Sequence, residues 1–200
     1  LRNTGGLYQS SADSINLFTS GRRFNPFLYE NQVDDYNQTH VQLHYAKTFH
    51  RGWRAKAALH YTAGKGYFEQ FKQDDNLSNY KLLPIVVGND TIQSSDVVRR
   101  RWLDNDFVGG IFKIEKDVLS QGMLSLGGGY HSYSGNHFGE LISVAADSNY
   151  RFTMPYYQSQ ATKNDGNIYV RWEHRHAHGW AWSADAQLRS VNYRSNGIDN

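Results

Sequence analysis

The sequence predicts an all-β fold, an antiparallel meander of about six strands in three hairpins. Three observations carry this. From Trp53 the chain alternates, with Trp53, Ala55, Ala57, Leu59, Tyr61 and Ala63 against Arg54, Lys56, Ala58, His60 and Thr62. Successive strand residues point to opposite faces, so this stretch has one apolar face and one mostly polar face. The same design returns after Trp180, with Trp182, Ala184, Ala186 and Leu188 against Ser183, Asp185, Gln187 and Arg189. Finally, short turns alternate with connections of about 30 residues, whereas loops beyond about 12–15 residues are uncommon in compact soluble domains.

Composition agrees with strands. The 200 residues include 14 Tyr, 5 Trp and 18 Gly but only 3 Pro, a balance that suits strands and turns. The net charge of +2 gives no basic surface for nucleic acid. The lack of cysteine excludes disulfides, thiolate-bound zinc and thiol catalysis. No apolar run is long enough for a membrane helix, and the mean hydropathy of −0.69 requires many polar residues in loops or a wet interior. The sequence opens without methionine or a signal peptide and reads as a fragment.

The elements follow in order. Residues 9–37 are polar and turn-rich and read as loop. Residues 39–49 alternate, placing Val41, Leu43, Tyr45 and Phe49 opposite His40, Gln42, His44 and Thr48. The turn His50-Arg51-Gly52 feeds strand 53–66, which makes a hairpin. A charged loop spans 67–98. Strand 99–115 has an unsettled facing, because Ile111 falls among the polar positions. A turn near Leu119–Gly122 leads to strand 123–133, where Leu124, Leu126 and Tyr130 share a face. Residues 134–164 form another long loop. Strand 166–175 puts Ile168, Val170 and Trp172 opposite Tyr169, Arg171 and Glu173, and the turn His176–Gly179 gives strand 180–194.

Two solvents fit this pattern. A soluble sheet has one wet face and one packed face. A transmembrane barrel has lipid outside, water inside, short turns at one rim and long loops at the other. Trp53 to Ala63 is ten steps of about 3.3 Å, roughly 33 Å. Tilted by about 40°, it covers roughly 25 Å, the height of a barrel's apolar band. The pattern favours a piece of a larger transmembrane β-barrel, with Trp53, Leu59, Tyr61, Trp180, Trp182 and Leu188 facing lipid.

Several segments carry a family likeness. They are Thr39–Phe49 followed by His50-Arg51-Gly52-Trp53, then Ala57–Thr62 with Gly64–Lys72, Arg101–Phe107, Gly135–Glu140 and the run Val191–Arg194. Together they resemble the barrel of TonB-dependent outer-membrane receptors of Bacteroides-like bacteria, over about residues 30–195. The resemblance implies a 22-stranded barrel closed by a plug domain, in the bacterial outer membrane, importing a scarce nutrient with energy relayed by TonB. It implies ferric siderophores, haem, cobalamin or glycans as cargo. It also implies outer-membrane lipid, TonB and a plug as partners, the last two through sequence ahead of residue 1. These are wall motifs, so they leave the cargo open. Residues 1–200 show no plug, TonB box or terminal strand and read as one partial barrel domain.

Candidate ligand-binding residues lie in the expected loops. Arg99, Arg100 and Arg101 end one loop and suit anionic ligands; ion pairing with Asp104 and Asp106 is the plainer alternative. Tyr67, Phe68, Tyr156 and Tyr157 can stack on sugars or planar ligands, or merely pack the loops. His174, His176 and His178 alternate at metal-ligand spacing, and His40, His44 and His60 would share the lumen face; rim and lumen polarity explain both. No nucleophile elbow, phosphate loop or zinc motif appears, so neither an enzyme nor a cofactor is expected. Two rival readings are a soluble or surface carbohydrate-binding β-sheet module and a small eight-stranded outer-membrane protein.

Overall fold

The computed structural model describes residues 11–23, 29–118, 121–151, 153–176 and 179–198. Its elements are helix α1 (Ser11–Ser20) and strands β1 (Asp34–Thr48), β2 (Trp53–Asn76), β3 (Ile85–Val87), β4 (Asp90–Ile92), β5 (Ser94–Val118), β6 (Gly122–Val144), β7 (Tyr157–Arg175) and β8 (Ala181–Ile198). Six strands form one antiparallel sheet in the order β1-β2-β5-β6-β7-β8, and β3 pairs only with β4. Every neighbour in the large sheet is therefore the next long strand along the chain, so it is a pure meander.

All three expected hairpins are present, and the strands are longer than the alternation suggests. β2 runs 24 residues and β5 runs 25, against the 9–11 that cross a bilayer. Residues 67–98 are thus not one loop. β2 continues through Asn76, a 3-10 turn follows at Leu77–Tyr80, then the β3–β4 hairpin, and β5 begins at Ser94. Residues 134–164 shrink likewise to a connection of 145–156. The reason is chemical: beyond residue 66 both faces of the strand are polar or aromatic, so pairing persists where the apolar/polar contrast has ended.

The expected loop at 9–37 holds α1, a 3-10 turn at Gly21–Arg23 and the start of β1. Serine and aspartate, read as loop residues, are also favoured in a first helical turn. The two strands that an eight-stranded barrel would need do appear within 67–98, as β3 and β4. They form their own small sheet and do not join the large one.

The dry core is small and sits at the loop end. Leu77, Tyr80, Val97, Leu141, Val144 and Tyr156 form it, with Leu82, Ile85 and Tyr150 packed alongside. Tyr80 donates its hydroxyl to Asp75 at 2.6 Å; burial and this carboxylate push the phenol upward. No second sheet covers the large sheet among the described residues, and most of its large apolar side chains stay exposed.

Candidate functional site

Strand register assigns every side chain to one of two faces, because directly paired residues point the same way. Leu43 pairs with Leu59, Leu59 with Gly110, Gly110 with Tyr130, and Tyr130 with Gly166. One step toward the turns lies the row Tyr45, Ala57, Phe112, Gly128, Ile168 and Leu188. The next is Lys47, Ala55, Ile114, Leu126, Val170 and Ala186. This first face carries an apolar band across all six strands. It is open to its surroundings: Leu43 is 66% exposed, Leu59 59% and Leu188 77%.

The band is bounded on both sides. Toward the turns it ends in Trp53, Trp172 and Trp182, with Trp180 just beyond the end of β8; the Trp172 and Trp182 rings meet edge to face at 4.3 Å. Toward the loops it ends in Tyr61 and Tyr130, whose hydroxyls donate upward to Asp106 at 2.5 Å and to Asn164 at 3.1 Å. Beyond them the same face becomes polar, with Lys65 bridging Asp104 at 2.9 Å.

The upper edge of the band does not follow a register row. It runs from Val41, Tyr61 and Val108 to Tyr130, one row lower, and to Ile168 and Leu188, two rows lower than the first. Two rows are four residues, about 13 Å; five interstrand gaps of about 4.8 Å make about 24 Å. The strands therefore cross the band at a tilt of roughly 30°.

The second face is polar. His40, Gln42, His44, Lys56, His60, Arg171, Asp185 and Gln187 project from it, as does Glu115 with its two cationic partners Arg54 and Lys113. Ile111, the residue that left the facing of β5 open, sits on this polar face. Val108, Phe112 and Ile114 belong to the apolar one.

The expected ligand-binding residues lie on strand extensions rather than on loops, apart from Tyr156, which directly precedes β7. Register divides them. Tyr67 and Arg100 stand on the first face, above the band, where the Arg100 guanidinium lies 4.2 Å from the Tyr67 ring. Phe68, Arg99, Arg101 and Tyr157 share the polar face. There Arg101 donates through Nε to the Tyr157 hydroxyl at 3.1 Å, and its guanidinium lies 5.8 Å from the Phe68 ring. Tyr156 packs edge-on against Tyr157 at 5.0 Å. None of the three arginines takes up the expected pairing with Asp104 or Asp106: Arg99 donates to Gln70, Arg100 to Glu69 and Arg101 to Tyr157.

Two clusters gather around Glu69 and Glu140, acidic residues that the sequence offers as partners for nearby cations. Glu69 is 3% exposed and accepts from Tyr29 at 2.5 Å, Asn31 at 2.7 Å and Arg100 at 2.6 Å. Burial pushes its carboxyl upward, but the three donors and the Arg100 charge outweigh that and hold it below the usual range. Next to it, Trp102 stacks on Phe138 at 5.8 Å and donates to Glu140 at 2.7 Å. Only register reveals these, since Tyr29, Glu69 and Arg100 come from distant parts of the chain.

His40, His44 and His60 share the polar face as expected. His174 and His176 have rings 6.1 Å apart, while His178 lies outside the described residues. Among the described residues no group of three or more His, Asp or Glu gathers in a metal-holding arrangement, and no helix is long and apolar enough to cross a membrane. No family model and no curated protein matches this sequence.

Proposed function

We propose that this sheet is a stretch of wall of an outer-membrane β-barrel, belonging to a TonB-dependent receptor that imports a nutrient. The observation that carries the reading is the slanted apolar band. It is exposed, crosses all six strands, and lies between a tryptophan edge and a tyrosine edge. A soluble sheet packs such a face against a second layer; lipid covers it without one. The tilt of roughly 30° is close to the 35–45° of outer-membrane strands.

In this reading Trp53, Leu59, Tyr61, Trp180, Trp182 and Leu188 face lipid, and the three short turns face the periplasm. His60, Arg54 and Gln187 face a wet lumen. β1 and β8 lie at the two edges of the sheet, and a strand edge inside a bilayer needs a partner. Further strands of the same barrel would supply it. At the loop end, Arg101 between Phe68 and Tyr157 offers a cation flanked by rings to an anionic or glycan cargo, whose import would use a plug and TonB. The receptor assignment rests on the resemblance of the wall motifs; the band supports the barrel alone.

Nitroxide scanning tests the wall. The chain would be reconstituted in phospholipid vesicles with single cysteines at 59, 60, 61, 187 and 188. Positions 59, 61 and 188 should collide with oxygen, and 60 and 187 with a water-soluble nickel chelate. Equal access to the chelate at all five positions would refute the lipid-facing band. Co-purification of the intact protein with the TonB C-terminal domain tests the receptor assignment separately.

A further inference from the structure

On the polar face, one residue separates two histidines from different strands. His60 of β2 and His131 of β6 both pair with Gly109 of β5. Nε2 of His60 lies 3.0 Å from Nδ1 of His131. A side chain at position 109 would forbid this: a Cβ there would stand 2.4 Å from the His131 nitrogen and 2.6 Å from the His60 nitrogen. The Phe107 ring packs against both imidazoles, at 4.7 Å from His60 and 5.7 Å from His131. His60 also lines a recess of about 510 Å³ with His40, Gln42, Thr62 and Tyr133, so the pair is reachable from solvent.

We infer that His60 and His131 form a two-histidine site for a divalent transition metal ion of the copper(II) class. Imidazole nitrogen suits copper, nickel and zinc. Metal–nitrogen bonds are about 2.0 Å, so nitrogens 3.0 Å apart subtend roughly 97° at a shared ion. That is close to the right angle of tetragonal copper(II) or nickel(II) and short of the tetrahedral angle that zinc prefers. Copper(II) binds nitrogen sites most strongly among the first-row divalent ions. Water from the recess completes the coordination. Binding needs a lone pair on both facing nitrogens, and both rings must turn toward the shared ion, because they meet nearly end to end with ring centres 5.2 Å apart. The proton lying between them therefore moves to the far nitrogen of the ring that carried it, Nδ1 of His60 or Nε2 of His131. The site does not depend on what covers the opposite face.

The test uses the full chain folded in dodecyl maltoside, stripped of metal and titrated with copper(II) chloride. Electron paramagnetic resonance and calorimetry report the binding. The wild type should bind one tight equivalent with hyperfine structure from two imidazole nitrogens. His60→Gln and His131→Gln should each weaken that equivalent by more than about tenfold and remove one nitrogen from the spectrum. Gly109→Ala should weaken it too, with both histidines still present. His44→Gln, on the same face and outside the pair, should leave it unchanged. Wild-type affinity and spectrum in either single histidine variant, with circular dichroism showing the fold intact, would overturn the site. So would a wild type that takes up no tight equivalent.

Discussion

The Tyr61 hydroxyl donates to the Asp106 carboxylate of the neighbouring strand at 2.5 Å. The ring belongs to the apolar band and the carboxylate to the polar zone above it, so this bond marks the boundary between two surroundings. Tyr61→Phe keeps the ring and leaves the carboxylate without that donor. We expect a lower midpoint in chemical unfolding of the chain in detergent. Tyr45→Phe, deeper in the band, should change stability by less.

Leu59 and His60 are adjacent in sequence and opposite in environment. If lipid covers Leu59, Leu59→Arg should destabilise the folded chain in bilayers by about 2–4 kcal/mol. Gln42→Arg, on the polar face and paired with His60, should cost far less. With this face in water no such asymmetry is expected, because an arginine in place of a 59%-exposed leucine is nearly neutral there. Urea titration in vesicles decides between them.

Glu69 links stability at the loop end to pH. Its carboxyl is held below its ordinary value of 4.5, so the folded state binds protons less readily than the unfolded chain. The stabilisation is therefore fully present above the unfolded value and is lost as pH falls through the lower, folded one. Unfolding midpoints should fall as the pH drops below about 5. Glu69→Gln should flatten that dependence and cost roughly 2 kcal/mol at neutral pH, since the Arg100 charge loses its partner.

A glycine sets the position of one tyrosine. A Cβ at residue 64 would fall within 2.0 Å of the Tyr36 hydroxyl, which donates to Asn105 at 2.7 Å. Asn105 is 8% exposed, so its carbonyl has little access to water. Gly64→Ala should displace the ring and cost about 1–3 kcal/mol. On a Tyr36→Ala background the same glycine change should cost almost nothing, and a double-mutant cycle reads the difference.

Much of the fold was legible because parity is a strong signal where one face is apolar. Trp53 to Tyr61 and Trp182 to Leu188 fixed two strands and their apolar sides, and the short turns at Gly52 and Gly179 fixed the hairpins. Above the band the signal fades. Gly135–Glu140 and Tyr157–Asn164 are polar on both faces, so their strand character rests on register with a neighbour and not on their own pattern. The site residues suffered from the same loss. Arg100 and Arg101 are adjacent in sequence, yet they stand on opposite faces because they lie in a strand. Ile111 misled the reading of β5 for the opposite reason: it is an apolar residue on the polar face, beside Gly129, whose Cβ position is 2.9 Å from its methyl carbon.

The strictly sequential strand order has a kinetic meaning. Each long strand pairs only with the strands before and after it in the large sheet, and three of the five junctions are closed by a few residues. Short loops close quickly, and hairpins form in about 1–10 μs. Three zippers can therefore start independently at the same end of the sheet and run toward the other. The slow steps are the joins between hairpins, across 77–93 and 145–156, where the small dry core of Leu77, Val97 and Leu141 brings the strands together. Mutations in that core should slow assembly, whereas mutations near the turns should chiefly speed unzipping.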